Sequence, residues 1–122
     1  MSYMLLIVEP VGQRATRTEA QGREAYASMR RFGESLAAQG KLKAMESLSS
    51  HATAVRVSQA AGQFELLDGP FAEAKEMVGG FFLLQNVSRE EAIELARACP
   101  ASQWCTVEVR ALAPCFDDSH AT

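Results

Sequence analysis

The feature that most constrains this fold is the run of residues 3–8, which is apolar at every position. Successive side chains of a strand point to opposite faces of a sheet, so both faces of this strand are apolar. Residues 81–84 have the same character. A strand that is apolar on both faces must be covered on both faces. Helices can cover one side, and we expect a second copy of the chain to cover the other.

A first helix is predicted over residues 18–39, with Thr16 or Thr18 as its N-cap. Apolar residues recur along it every three or four positions, which is the spacing of one buried face. These residues are Ala25, Met29, Phe32 and Leu36. The arginines lie largely off that stripe and are interpreted as solvated surface. Gly22 and Gly33 disfavour a helix, which indicates close approach of a neighbouring element.

The other predicted elements are three single strands, a β-hairpin and a second helix. The strands are predicted at 41–48, at 53–58 and 63–67 as a hairpin, at 78–87 and at 104–110, and the helix at 89–98. Ser88 and Glu91 have the spacing of a capping box for that helix. In the hairpin, alternation places Val55 and Val57 inward. Gly79 and the glycine that follows it indicate a bulge or close packing of the backbone against a partner chain.

The element order predicts an α+β, ferredoxin-like fold. Two split βαβ units form an antiparallel sheet with two helices on one face, and the β-hairpin is an insertion. A chain of 122 residues is expected to form one domain, here residues 1–112, followed by a tail at 113–122. Because both faces of the sheet need cover, we expect a homodimer.

Composition excludes several classes of function. The net charge is −3 with no long run of one sign, so no nucleic-acid partner is expected. No apolar run approaches the roughly 20 residues that span a bilayer, so no membrane partner is expected. The start of the chain lacks the pattern of a signal peptide, which favours a cytoplasmic protein. Three cysteines and two histidines without CxxC spacing predict no metal site, and no cofactor motif is present.

A second stretch carries a family resemblance. It reads Asp68-Gly69-Pro70-Phe71-Ala72-Glu73-Ala74-Lys75-Glu76, followed by Gly79-Gly80-Phe81-Phe82-Leu83-Leu84. It closely resembles the signature of the YCII-related family of DGPF-domain proteins. The apolar first strand, residues 52–57, residues 99–100 and residues 107–110 are also similar to that family. The resemblance implies a dimeric α+β barrel, and it implies genes beside extracytoplasmic-function sigma factors.

The wider superfamily includes a dehydrochlorinase that works with a His–Asp pair. In that branch, the histidine lies on the first helix and the aspartate just before a proline after the second helix. Here the first helix has no histidine, and Cys99 precedes Pro100. The resemblance therefore does not carry this activity over.

Six residues are candidates for a site. Asp68 is read either as a catalytic acid or base at a pocket edge or as the residue of an Asx turn. Glu73 is the second candidate acid or base, and Lys75 a ligand contact, although both could equally be solvated charges. Tyr3, Met45 and Trp104 are candidate ligand contacts if the dimer leaves a pocket, with a place in the core as the alternative.

Three functions remain open from the sequence. The first is small-molecule binding in a cleft beside residues 68–75, in a protein that serves as an accessory to sigma-factor regulation. The second is an enzyme, a lyase or hydrolase, that uses Asp68 or Glu73 as general acid or base. The third is a purely structural or interaction dimer.

Overall fold

The computed structural model describes residues 2–118. The elements are β1 (Tyr3–Pro10), α1 (Glu19–Ala38), β2 (Leu42–Ser47), β3 (Val55–Ala60), β4 (Gln63–Asp68), β5 (Glu76–Leu84), α2 (Arg89–Ala98) and β6 (Thr106–Ala111). Short 3₁₀ turns connect several of them. The predicted order of helices and strands is confirmed, with element ends displaced by at most three residues.

The main sheet has four strands in the order β2-β5-β1-β6, and every neighbouring pair is antiparallel. Helix α1 therefore connects β1 to β2 across β5, and α2 connects β5 to β6 across β1. These are two split βαβ units, so the predicted ferredoxin-like α+β fold is confirmed. Within residues 2–118 the strands close no barrel: the four-stranded sheet is open, and β3 and β4 form a separate two-stranded sheet.

The helix-covered face of the sheet holds the core. Leu5 lies directly opposite Phe82, so the two side chains share this face. Leu36 from α1 and Cys99 after α2 pack into the same buried cluster. Tyr3 belongs to it as well and is only 8% exposed. Tyr3 therefore lies in the core of the single chain, which is the alternative interpretation given for this residue.

Helix α1 begins at Thr18, one of the two predicted N-caps, and helix α2 begins at Ser88, where the serine half of the predicted capping box is present. The Thr18 hydroxyl accepts a hydrogen bond from the backbone N–H of Gln21, whose side chain accepts one from the N–H of Thr18. The Ser88 hydroxyl accepts a hydrogen bond from the backbone N–H of Glu91. Such caps satisfy N–H groups that have no partner within the helix. Thr16 lies in the 3₁₀ turn that precedes α1.

The opposite face of the four-stranded sheet carries no helix. Met4 lies opposite Leu83 and Leu6 opposite Phe81, so these four side chains share that face. All four are half-buried, although neither α1 nor α2 covers them. Within a single chain, the helices therefore cover only one of the two apolar faces that β1 and β5 form.

The β3–β4 hairpin corrects one prediction. Val55 and Val57 are 54% and 61% exposed, so the expectation that they point inward is wrong for the single chain. The alternation itself is present, because Val57 lies opposite Leu66 and both share an apolar face. That face has no cover within residues 2–118, since the hairpin forms a sheet of its own.

The glycine pair of β5 has two different packing roles. The register of β1 against β5 shifts between Ile7 and Val8, which leaves Gly79 in a bulge and confirms that prediction. A Cβ atom on Gly79 would lie 2.5 Å from Oε2 of Glu9. A Cβ atom on Gly80 would lie 2.8 Å from the backbone oxygen of Glu46 on β2. Gly79 makes room for a carboxylate, and Gly80 lets two strands approach.

The two helical glycines also differ from each other. A Cβ atom on Gly33 would overlap the sulfur of Met45, so close approach is confirmed there. A Cβ atom on Gly22 would meet nothing within 4 Å, so the same expectation is wrong for Gly22. This position borders a cleft instead of a neighbouring element.

The end of the chain has some local structure. Leu112 donates a backbone hydrogen bond to Ser2, and a 3₁₀ turn spans Cys115–Asp118. Positions 119–122 of the predicted tail lie outside the described residues. Across residues 2–118, neither helix has the length and apolarity needed to cross a membrane.

Candidate functional site

A cleft of about 770 Å³ opens between the first half of α1 and one end of the four-stranded sheet. Its floor consists of apolar side chains from both layers of the fold: Ile7, Met29, Met45, Phe82, Ala101 and Trp104. Its rim is charged, with Arg14, Arg17, Glu19, Arg23, Arg30 and Glu46. An apolar floor with a few charged groups is the usual composition of a small-molecule site.

A buried ion pair closes the sheet end of this cleft. Glu9 lies near the end of β1 and is only 7% exposed. The guanidinium of Arg14 donates from Nε to Oε1 of Glu9 at 2.5 Å and from Nη2 to the backbone oxygen of Gly79 at 3.4 Å. A buried carboxylate is stable only when it is paired and hydrogen-bonded. The bulge at Gly79 provides the space for this pair.

Glu9 is the residue that the sequence interpretation missed. A usable signal exists, because Glu9 continues the odd-numbered face of β1 that Tyr3, Leu5 and Ile7 bury in the core. A charged residue in phase with a buried face predicts a buried charge with a partner. The partner, Arg14, lies in the 3₁₀ turn that follows the strand.

A second basic group lies beside the tryptophan of the cleft. The guanidinium carbon of Arg17 lies 5.6 Å from the ring centroid of Trp104. Gln13 joins the two residues, since its Nε2 donates to the Trp104 backbone oxygen at 2.7 Å and its Oε1 accepts from Arg17 Nη2 at 3.4 Å. The cation–π contact and the hydrogen bond hold the guanidinium at the cleft.

Helix α1 forms the opposite wall. Gly22 and Met29 line the cleft on the face nearer the sheet. Arg23 and Arg30 line its mouth, and Arg23 forms an exposed ion pair with Glu19. The arginines of this helix are solvated, as predicted, but Arg23 and Arg30 also line the cleft.

A smaller cleft of about 480 Å³ lies beside the hairpin. Phe71 is buried at its edge, with the His51 ring centroid 5.4 Å away and the Arg56 guanidinium carbon 3.8 Å above its ring. The Nδ1 atom of His51 is buried and has no hydrogen-bond partner within residues 2–118. Glu76 and Met77 complete the charged and apolar sides of this cleft.

The turn that contains Asp68 attaches the hairpin to the body of the protein. A Cβ atom on Gly69 would overlap the backbone oxygen of His51, so only glycine fits there. The Gly69–Pro70 peptide bond is cis, and the buried Phe71 follows it. Asp68 itself is exposed, and its carboxylate forms no hydrogen bond within the described part of the chain, including that of an Asx turn.

Of the six candidate residues, the structure brings Met45 and Trp104 to the larger cleft. Asp68, Glu73 and Lys75 are exposed and line neither cleft. Lys75 contributes its backbone oxygen, which accepts a hydrogen bond from the N–H of Val11. Their catalytic or binding roles stay predictions.

The cysteines offer no reactive thiolate at neutral pH in the body of the fold. Burial raises the pKa of the Cys99 thiol to about 11, with smaller effects from neighbouring groups. Burial, followed by the charge of Glu9, raises the pKa of the Cys105 thiol to about 11. Cys115 is exposed. Within residues 2–118, no three His, Cys, Asp or Glu side chains cluster as a metal site would require.

This difference predicts selective alkylation by iodoacetamide at pH 8. Cys115 is expected to react in the native protein, whereas Cys99 and Cys105 react only after unfolding, because the thiolate is the nucleophile. Mass spectrometry of native and urea-treated protein measures this, and rapid native labelling of Cys105 would contradict it.

The raised pKa values of Cys99 and Cys105 also predict that the stability of the protein falls from about pH 9 to pH 11, where only the unfolded thiols ionise.

Comparison with known proteins places the chain in a family. The YCII-related domain matches residues 1–115, which is nearly the whole chain. The match extends slightly past position 112, and that predicted domain end stays a prediction. An uncharacterized protein of Rhizobium meliloti (strain 1021) is 40% identical over 58 residues. That similarity covers 48% of this chain and 47% of the relative, or about half of its length. The chain belongs to the YCII-related domain family, as its sequence signature predicts.

Proposed function

We propose that this protein binds a small organic molecule in the larger cleft. The observation that carries the proposal is the cleft itself, because about 770 Å³ lies within the roughly 300–1,000 Å³ of ligand sites. Met45 and Trp104 supply apolar surface in its floor, and the arginines supply charge at its rim. A protein that serves as an accessory to sigma-factor regulation would use such a cleft to sense its ligand.

Binding is better supported than catalysis. A general acid or base must come within hydrogen-bond reach of the reacting atom. Asp68 and Glu73, the candidates for a lyase or hydrolase, are exposed and lie outside the cleft lining. Glu9 is the buried carboxylate of the cleft, and Arg14 occupies one of its oxygens. Because Glu9 is held in this ion pair, it is better suited to a fixed structural role in the cleft wall than to proton transfer.

Filling the cleft provides the test. Gly22→Leu places a side chain into space where a Cβ atom meets nothing within 4 Å, so the helix is expected to form normally. Compounds that raise the melting temperature of the wild-type protein in a thermal-shift screen should lose most of that effect in the variant. Ala20→Leu is the matched control, because Ala20 is exposed on the same turn of α1 and lies outside the cleft lining.

The screen also separates the two clefts. The buried Nδ1 of His51 has no partner among the described residues, which favours the smaller cleft as a second candidate site. A compound bound there would stabilise the Gly22→Leu variant as strongly as the wild type. If every stabilising compound behaves in this way, the larger cleft is not the binding site.

The uncovered sheet face supports a homodimer, which we propose as the assembled state. Leu6 and Phe81 lie opposite each other on this face, and burying apolar surface stabilises by roughly 25 cal/mol per Å². Specific interfaces bury roughly 800 Å² per partner. Two copies packed face to face would cover the second apolar face of β1 and β5.

A single charge on this face is expected to prevent dimer formation. The wild type should sediment as a dimer at micromolar concentration, and Leu6→Lys should sediment as a monomer with an unchanged circular dichroism spectrum. Val57→Lys is the control, since Val57 lies on the hairpin and not on this face. A monomeric wild type, or a monomer produced only by Val57→Lys, would contradict the proposed interface.

A further inference from the structure

Three of the four arginines that line the larger cleft form ion pairs. Arg14 pairs with Glu9, Arg23 with Glu19 and Arg30 with Glu34. Tyr26 has the largest effect in raising the pKa of the Arg30 guanidinium, followed by the charges of Glu34 and Glu46. Arg17 forms no ion pair within residues 2–118. Of the arginines in the cleft lining, Arg17 is therefore the one whose guanidinium is available to an anionic ligand.

Arg17 is also held in place. It directly precedes Thr18, the N-cap of α1, and has an extended backbone conformation. Its Nη2 donates to the Oε1 of Gln13, and its guanidinium carbon lies 5.6 Å from the Trp104 ring. A guanidinium that is already oriented loses less entropy when it binds a carboxylate than a free side chain does. Its remaining N–H groups have no acceptor within residues 2–118 and can donate to a ligand.

We propose that the ligand of this cleft is a monoanionic carboxylate with an apolar body, and that Arg17 binds its carboxylate. This inference rests on the proposed binding function and adds the chemical class. The planar guanidinium matches a carboxylate through two parallel N–H···O bonds. The apolar body would lie against Met29, Met45 and Phe82 in the floor. Arg17 is the one guanidinium of the lining without an ion pair among the described residues, which favours a singly charged ligand over a phosphate ester that carries two charges.

Trp104 is the only tryptophan of the chain, so its fluorescence reports on this position alone. Iodide, an anionic quencher, should be attracted by Arg17, whereas caesium should be repelled. Arg17→Gln is expected to lower the iodide quenching constant at least twofold and to leave caesium quenching equal or stronger. Arg31→Gln is the control, because Arg31 pairs with Glu24 on the surface and lies outside the cleft lining. An equal effect of both variants would overturn the inference.

Ligand class is tested with three phenyl compounds titrated against the same fluorescence. The wild type should bind 4-phenylbutyrate about tenfold more tightly than the neutral 4-phenylbutyramide, and more tightly than phenyl phosphate. Arg17→Gln should reduce the preference for the acid over the amide to near one. Circular dichroism of the variant, and retention of iodide quenching in Arg17→Lys, separate lost charge from lost fold.

The outcomes distinguish this inference from the proposed function. Absence of a preference for the acid in the wild type, including failure of both compounds to bind, overturns the carboxylate inference. Stronger binding of phenyl phosphate overturns the monoanion assignment. If neutral compounds from the thermal-shift screen still bind and lose their effect in Gly22→Leu, the proposed function stands without the carboxylate.

Discussion

Arg14→Ala is expected to destabilise the protein by about 3 kcal/mol, near the lower end of the roughly 3–5 kcal/mol for breaking a buried pair. The substitution leaves the carboxylate of Glu9 buried without its guanidinium partner. Much of the loss comes from this uncompensated charge and not from the removed contact. Because Arg14 is partly exposed, water can reach the vacated position and limit the loss. Urea unfolding monitored by circular dichroism measures the change.

Two comparisons show whether the buried charge is the cause. The double variant Glu9→Leu with Arg14→Met removes both charges, and it should recover stability to within about 1 kcal/mol of the wild type. Arg31→Ala removes an exposed ion pair with Glu24 and should cost less than about 1 kcal/mol. Similar losses in Arg14→Ala and Arg31→Ala, or no recovery in the double variant, would contradict the buried pair.

Gly69→Ala is the second substitution with a large expected effect. Its Cβ atom would overlap the backbone oxygen of His51, and a backbone atom cannot move aside as a flexible side chain can. The backbone N–H of Gly69 donates to the oxygen of Ala54, so the two segments are already in contact. Overpacking costs typically about 1–3 kcal/mol, and we expect the upper end of that range. Differential scanning calorimetry measures the loss.

Gly22→Ala is the matched control for this prediction. The same methyl group enters open space on α1, at a position without positive φ, and replaces a poor helix former with a good one. It should stabilise the protein by up to about 1 kcal/mol. The same substitution is therefore expected to have opposite signs at two glycines, and a stabilising Gly69→Ala would show that the turn at Asp68 is not packed as described.

Most of the fold could be predicted from local patterns. Full apolarity over residues 3–8 predicts a central strand, and β1 lies between β5 and β6. The caps at Thr18 and Ser88 are side-chain chemistry within four residues of the chain, so the sequence shows them directly. The Gly79–Gly80 pair predicts a bulge or close packing, and the bulge is present at Gly79.

The site could not be predicted in the same way. Asp68 belongs to a conspicuous motif, which makes it the first candidate from the sequence. In the structure, the motif places Gly69 and Phe71 in packing contacts and leaves Asp68 exposed. Glu9 and Arg17 belong to no motif. Gln13 and Trp104, which hold Arg17 at the cleft, are 91 positions apart in sequence. No short spacing reports a contact of that kind.

The sequence by itself determined the order of the elements, the split βαβ topology, the helix caps and the family. Each of these depends on apolar periodicity or on side chains close together in the chain. The tertiary structure decided which polar groups meet. It buried Glu9 against Arg14, left Arg17 beside Trp104 without an ion pair among residues 2–118, and left the apolar face of the hairpin exposed. The physical reason is that charge pairing and burial depend on which elements pack together, whereas strand and helix formation depend mainly on neighbouring residues.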